Sequence, residues 1–295
     1  MMISTRKLSL FFICFAFSCL SACSVQNQLL RSAGDVLALE NQSAEEDLDL
    51  LLHSSAYHLK LSETLLVKMP DHIKLAESVT RGFTQYAFVF LMDEADRKES
   101  ESIALASQLR QRAAKMLMRA KLHGLKALEL KYPQLLSLQT GQATSSKKLI
   151  AIEDSGLAYW TLTSWAGAIS LSKDNPDVVA DLPLVLQLAQ ITWNANPQFD
   201  NGSMASMMGT LELARPGGNV DLAEKYFNDA IAWRGNQIGP FISKAENWAF
   251  AKQDKAAFTD LLNQAIHSGK SQNDLVTQVM RRRAEWLLTK IDDLF

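Results

Sequence analysis

The sequence predicts an all-α protein, and three observations carry that expectation. Proline and glycine are scarce, 7 and 13 of 295 residues, against usual shares of about 5% and 7%. The seven prolines, Pro70, Pro133, Pro176, Pro183, Pro197, Pro216 and Pro240, all fall where helices should start or stop. Proline inside a helix costs about 3 kcal/mol. Apolar residues also recur at helical spacing: Phe83, Tyr86, Ala87, Phe90 and Leu91 step at i, i+3, i+4, i+7 and i+8, one buried helical face.

The chain opens with Arg6 and Lys7, then an almost wholly apolar run from Leu8 to Leu20. That length suits the core of a signal peptide and falls short of the roughly 20 residues a membrane-spanning helix needs. Leu20-Ser21-Ala22-Cys23 resembles the lipobox of bacterial lipoproteins. The resemblance implies cleavage after residue 22 and lipidation of Cys23. Cys14 and Cys19 lie in the removed segment, so no intrachain disulfide can form in the mature chain. Acyl chains on Cys23 would anchor the domain stably, at about 0.8 kcal/mol per buried CH₂. Ser24 rather than aspartate follows the cysteine, which by resemblance to Gram-negative sorting signals implies the periplasmic face of the outer membrane.

Residues 23–42 read as a lipid-anchored tether with one short helix, and 43–295 as a single helical domain. Ser43-Ala44-Glu45-Glu46 is a capping box, in which Ser43 and Glu46 satisfy free backbone N–H groups. A first domain helix follows to about Val67, a second starts near Asp71, and a third covers roughly Glu99 to Lys131. Thr140 to Ser146 is the clearest loop, a candidate subdomain joint over 140–147. The helix from Ser155 to Ser172 carries two apolar stripes, one through Leu157, Trp160 and Ala168, the other through Ala158, Leu162, Trp165 and Ile169. A helix apolar nearly all round belongs in the middle of a fold. The final helix, Asn273 to Leu294, should bury Val276, Met280, Ala284, Leu287, Leu288 and Ile291.

From Pro183 onward the chain reads as helical pairs with a hidden repeat. Ala223, Phe227 and Ala230 match the second-helix signature of a tetratricopeptide repeat. Val185, Ala189 and Thr192 repeat the spacing upstream, and Phe258, Leu262 and Ala265 downstream. Thr192 to Ala230 is 38 residues and Ala230 to Ala265 is 35, against a repeat of about 34. The expected architecture is a right-handed superhelical bundle of antiparallel helix pairs with degenerate tetratricopeptide-like repeats.

Composition narrows the function. The formal charge of −2 becomes −4 once Arg6 and Lys7 are removed, with 28 basic against 32 acidic residues left. That argues against a nucleic-acid binder. His53 and His58 stand about 140° apart on a helix and cannot share a metal. The sequence has no P-loop, dinucleotide fingerprint or nucleophile elbow. No metal, cofactor or catalytic residue is assigned; Glu246 as a general acid is weighed and set aside as a helix-face glutamate.

Candidates for binding a small ligand are Arg81, Tyr86, Trp160, Trp165, Asn201 and Met208. An arginine fork pairs bidentately with a carboxylate, although a salt bridge to Glu94 or Asp96 competes for Arg81. The tryptophans suit either a cavity wall or the core. Met204, Met207, Met208 and Leu211 form a soft stripe of the kind that lines adaptable surfaces, opposite small residues suited to close helix packing. Asp200-Asn201-Gly202 reads as a turn with a helix cap. Arg281-Arg282-Arg283 reads as a solvated face paired to Glu285, with a docking patch as the alternative.

Several stretches together resemble one family, the TRAP-transporter-associated T components (TatT), a group of lipoproteins. They are RGFTQYAFVFLMDEAD from Arg81, AYWTLTSWAGAISLSKDNPDVVADLP from Ala158, NPQFDNGSMASMMGTLELARPGGNVDLAEKYFNDAI from Asn196, ISKAENWAFAKQDKAAFTDLLNQAI from Ile242 and RRRAEWLLTKIDDLF from Arg281. The resemblance runs from about Ser43 to Phe295. It implies a tetratricopeptide-like lipoprotein working beside the periplasmic solute-binding protein of a tripartite ATP-independent transporter. It also implies a homo-oligomer, such as a trimer, with a cavity for an apolar or organic-acid ligand. The sequence departs from the family near Met207-Met208-Gly209, where aromatics would be expected. The rival readings are a generic tetratricopeptide scaffold in envelope assembly and a helical envelope hydrolase.

Overall fold

A computed structural model describes residues 26–39, 47–135, 149–272 and 274–295. The signal peptide, Cys23, the Ser43–Glu46 capping box and the 140–147 joint lie outside these residues. Among the described residues the regular structure is all helical, with no strand. In chain order the helices are α1 (26–39), α2 (Leu48–Lys68), α3 (Ile73–Tyr86, continued below), α4 (Ile103–Lys131), α5 (Ser155–Ser170), α6 (Pro176–Val179) and α7 (Leu182–Ala195). Then come α8 (Phe199–Ala214), α9 (Val220–Trp233), α10 (Gly239–Lys244, continued below), α11 (Lys255–Gly269), α12 (Leu275–Thr289) and α13 (Ile291–Leu294).

Local chemistry sets most of these starts. Ser102, Asn175, Asn219, Asp254 and Asp274 each cap a helix by accepting a bond from a free backbone N–H, the role short polar side chains play best. His72 does the same for α3 through Nδ1. Pro176, Pro183 and Pro240 stand in the first turns of their helices, where a missing N–H costs nothing. The final helix breaks at Lys290 instead of running unbroken to Leu294.

Two helices widen into π-turns. α3 passes through one at Ala87–Met92 and ends as Asp93–Lys98; α10 passes through another at Ala245–Ala249. Side chains that bond back to the carbonyl four residues earlier precede the first and lie within the second. Thr80 and Thr84 donate to Ala76 and Thr80 at 2.7 Å, and Asn247 donates to Ser243 at 2.8 Å. Such back-bonding loosens a helical ladder and bends it.

The side chains pack into two cores. The first gathers Leu75, Phe83, Leu117, Leu128, Leu157, Leu162 and Val185 from α3, α4, α5 and α7, and takes in Met204 and Leu211 of α8. As its pattern required, α5 is buried almost all round. The second core gathers Phe227, Phe241, Phe258, Leu262, Ala284 and Leu287 from α9 to α12. α8 joins the two. A Cβ on Gly209 would lie 2.8 Å from the Phe227 ring, and one on Gly202 would lie 2.7 Å from the Ala230 carbonyl oxygen. α8 and α9 therefore meet nearly backbone to backbone. All nine repeat-signature residues, from Val185 to Ala265, are 0–1% exposed.

Val276 departs from expectation. It is 55% exposed because the buried face of α12 runs through Ala284 and Leu287, and Val276 turns toward a cleft between the cores. The presumed tether departs too, since α1 is seated on the domain. Gly34 packs against Met69 and His72, Leu30 and Leu37 meet the first core, and Arg31 and Asp35 pair with Asp71 and His72 at 2.5 and 3.4 Å.

Candidate functional site: a cleft between the two cores

Between the cores lies a cleft of about 1140 Å³, at the upper end for a small-molecule site. Each wall is one helical face. Leu51, Ser55, His58 and Ser62 of α2 stand at i, i+4, i+7 and i+11. Glu77, Ser78, Arg81 and Gln85 of α3 face them at similar spacing. α5 contributes Tyr159, Trp160 and Thr163; α8 contributes Ser203, Ser206, Met207 and Thr210; α12 contributes Val276, Val279 and Met280. The π-turns complete the enclosure with Phe88, Val89 and Phe90 on one side and Glu246 and Asn247 on the other. Three consecutive residues cannot share one face of a regular helix; the wider turn lets all three reach the cleft. π-turns inside helices are often found at functional sites.

Aromatic rings form two groups on the lining. Tyr159 meets Trp160 edge-on at 5.1 Å and Phe199 at 5.0 Å, and Tyr86 lies 5.3 Å from Phe90. Burial pushes the Tyr159 hydroxyl up to about 12, so it stays a neutral hydrogen-bonding group. Ser206 Oγ is buried without a partner among the described residues and lines the cleft from α8.

Charge in the cleft is uneven. Asp200 accepts bonds from Ser203 at 2.8 Å and Gln237 at 3.0 Å. Asp274 caps α12. Glu246 pairs with Arg283 at 2.7 Å. Among the described residues Arg81 is the one arginine or lysine in the lining, and it makes no ion pair with them within 4 Å. Its charged neighbour is Glu77, one turn earlier. Burial pushes the Glu77 carboxyl above the usual range against the pull of Arg81. The expected competitors for Arg81 do not hold it, since Asp96 pairs with Arg110 and Arg283 at 3.0 and 2.9 Å.

Asp200, Asn201 and Gly202 hold φ values of +48°, +51° and +99°, a left-handed turn at the start of α8. For non-glycine residues that conformation costs about 1–2 kcal/mol each. It brings Asp200 and Asn201 to the cleft rim, where the sequence suggested a simple cap.

Of the six candidate ligand residues, Arg81, Tyr86, Trp160 and Asn201 line this cleft, and Trp165 and Met208 do not. Trp165 is 5% exposed in the first core. Its Nε1 donates to Asp181 at 2.9 Å, and Lys121 Nζ lies 4.4 Å from its ring centre. Met208 is one step round α8 from Met207 and packs on the first core. The helical phase decides between neighbours: 203, 206, 207 and 210 share the cleft face.

Two charged clusters escaped the sequence reading. Arg283 of α12 reaches Asp93 at 3.3 Å, Asp96 at 2.9 Å and Glu246 at 2.7 Å, and its guanidinium lies 4.7 Å from the Trp286 ring centre. Arg283 thus departs from the expected solvated face, whereas Arg282 is exposed and Arg281 makes the expected approach to Glu285, at 3.9 Å. Nor is Glu246 a solvated helix-face glutamate, because it lines the cleft and is tied to Arg283. The second cluster centres on Glu63, which is paired with Arg119, with Lys60 at 2.6 Å and with His123 at 2.8 Å. Both clusters join residues too distant in sequence for spacing to reveal. Among the described residues no group of three His, Cys, Asp or Glu is placed to hold a metal ion, and no helix is long and apolar enough to cross a membrane.

Fold and site together define a helical protein built around a large amphiphilic cleft. Residues 44–295 match the family described as the TRAP transporter T-component, and the chain belongs to that family. An uncharacterised protein of Treponema pallidum (strain Nichols) is 24% identical over 315 residues, covering 96% of this chain and 97% of that protein.

Proposed function

We propose that this T-component is a lipid-anchored accessory protein on the periplasmic face of the outer membrane, where it binds the solute-binding protein of its transporter. Its cleft holds a small ligand with an apolar body and one carboxylate. The observation that carries this reading is Arg81: a cation with no ion pair among the described residues, in a wall rich in aromatic rings and hydroxyls. Clefts that bind small molecules are mostly apolar with a few placed polar groups, and an arginine fork suits a carboxylate. Tyr86, Trp160 and Met207 offer the apolar body its contacts, and Asn201 and Ser206 offer further polar groups. Homo-oligomerisation, as a trimer for example, belongs to the same proposal.

The test is tryptophan fluorescence titrated with medium-chain organic acids, alongside calorimetry with the solute-binding protein. Arg81→Gln should weaken binding of the acid at least tenfold, a loss of about 1.4 kcal/mol, and leave the matching alcohol unaffected. An Arg81→Gln protein that binds the acid normally refutes the site. Absence of any calorimetric signal with the solute-binding protein, together with co-purification of an unrelated envelope complex, would replace the transport role with that of a general scaffold.

A further inference from the structure

α1 has two apolar faces, and the fold uses one. Leu30, Gly34 and Leu37 turn inward onto Met69, His72 and the first core. Leu29, Val36 and Leu39 turn outward and are 67%, 68% and 74% exposed. At 100° per residue these three, with Ser32 and Ala33 between them, form one stripe. Gln28, Arg31 and Asp35 fall on the flank beside it. Arg31 and Asp35 hold α1 to the domain through Asp71 and His72, so the stripe is presented on a fixed helix.

We infer that this stripe lies on the lipid surface to which Cys23 is attached. The inference rests on the lipid-anchor part of the reading above. Gln26, the first described residue of α1, is three residues from Cys23, and three residues of chain span at most about 11 Å. The headgroup layer of a bilayer is itself about 5–7 Å deep on each side. A helix begun so close to an acylated residue starts at the membrane interface, and its 14 residues are about 21 Å long. An interfacial helix buries its apolar face at the boundary of headgroups and acyl chains, which is what Leu29, Val36 and Leu39 require. A second copy of the chain is a poorer occupant. Three aliphatic side chains fall far short of the about 800 Å² per partner of a stable interface, and the stripe has none of the Trp, Tyr or Arg residues that anchor protein interfaces. Because α1 is seated on the end of α2, whose other residues wall the cleft, lipid contact along α1 orients the cleft relative to the membrane.

The experiment uses the mature acylated protein in vesicles of phosphatidylethanolamine and phosphatidylglycerol. Val36→Cys and Gln28→Cys variants each carry a polarity-sensitive fluorophore on the new thiol, Cys23 being blocked by its lipid. At position 36 the emission should be blue-shifted and quenched several-fold more by nitroxide-labelled lipids than at position 28, which iodide in the buffer should quench instead. Equal access of iodide to both positions overturns the inference. So does a blue shift at position 36 that ignores nitroxide lipids and grows with protein density, which would mark a contact between copies. If wild-type protein takes the label on Cys23, the anchor itself is absent, and that failure is read separately from the behaviour of the stripe.

Discussion

Glu77 and Arg81 share one turn of α3 and one wall of the cleft. Burial raises the Glu77 pKa first of all; Asp154 adds to the rise, and Arg81 and Lys74 oppose it. Below that raised pKa Glu77 is neutral and leaves Arg81 to a ligand. Above it Glu77 is charged and competes. Affinity for a sulfonate ligand, whose own charge is constant, should therefore fall as pH rises through the Glu77 titration. Glu77→Gln should flatten the profile, with Glu246→Gln as the control, since Glu246 is a second carboxyl of the lining whose pKa burial raises. Calorimetry across pH decides, and an unchanged profile in Glu77→Gln refutes the coupling. Glu63 has the opposite sign. Burial disfavours its charge, but bonds from Arg119, Lys60 and His123 win and hold its pKa down at about 2. Its stabilisation is complete above the ordinary value of 4.5 and is lost as pH falls from there toward 2. Glu63→Gln should cost about 3 kcal/mol at neutral pH and lessen the acid sensitivity of the melting temperature in that window.

At the scale of elements, the seam between α8 and α9 tolerates little. Ala230 is 0% exposed, and its backbone already touches Gly202. Ala230→Trp should destabilise by at least about 1–3 kcal/mol, seen as a lower midpoint in urea; a silent substitution would mean that the helices do not meet there. Docking of α12 depends on Arg283. Burial works against its charge, and the neighbouring carboxylates of Glu246, Asp96 and Asp93 outweigh that and keep it protonated. Arg283→Met leaves Glu246 without its partner, while Asp93 and Asp96 keep Arg97 and Arg110. The group is partly solvated through the cleft, so the cost should be about 2 kcal/mol, below the 3–5 of a fully buried pair. Amide exchange should speed up in α12 more than in α5. Arg283→Lys should restore the charge but not the fork that spans two helices.

Across the whole molecule, legibility followed range. Prolines and caps act within a turn or two, so the bounds of α4 and α5 were read to within a few residues, and Pro176, Pro183 and Pro240 marked helix starts. The alanine–phenylalanine–alanine spacing marked residues that prove fully buried, because close helix packing admits only certain sizes at those positions. Side-chain direction across elements was less accessible. Trp165 and Trp160 lie on one helix, and only the placement of α4 and Asp181 decides that the first is core and the second is wall. Met207 and Met208 differ by a single step of helical phase. Glu246 and Arg283 are 37 residues apart and Arg283 and Asp93 are 190 apart, beyond any spacing rule, so the seal between the cores was invisible until the chain was folded.

That same seal sets an order of assembly. Asp93 and Asp96 emerge from synthesis long before Arg283 does. The first core depends little on residues beyond α8, but the cleft lacks a wall until α12 arrives. Contacts so distant in sequence form late, because loop closure must precede them. A chain stopped before α12 should therefore keep the helices of its first core and expose the aromatic trough they border. The α12 segment thus acts as a completion signal: a nascent protein encloses its aromatic trough only once that helix has been delivered.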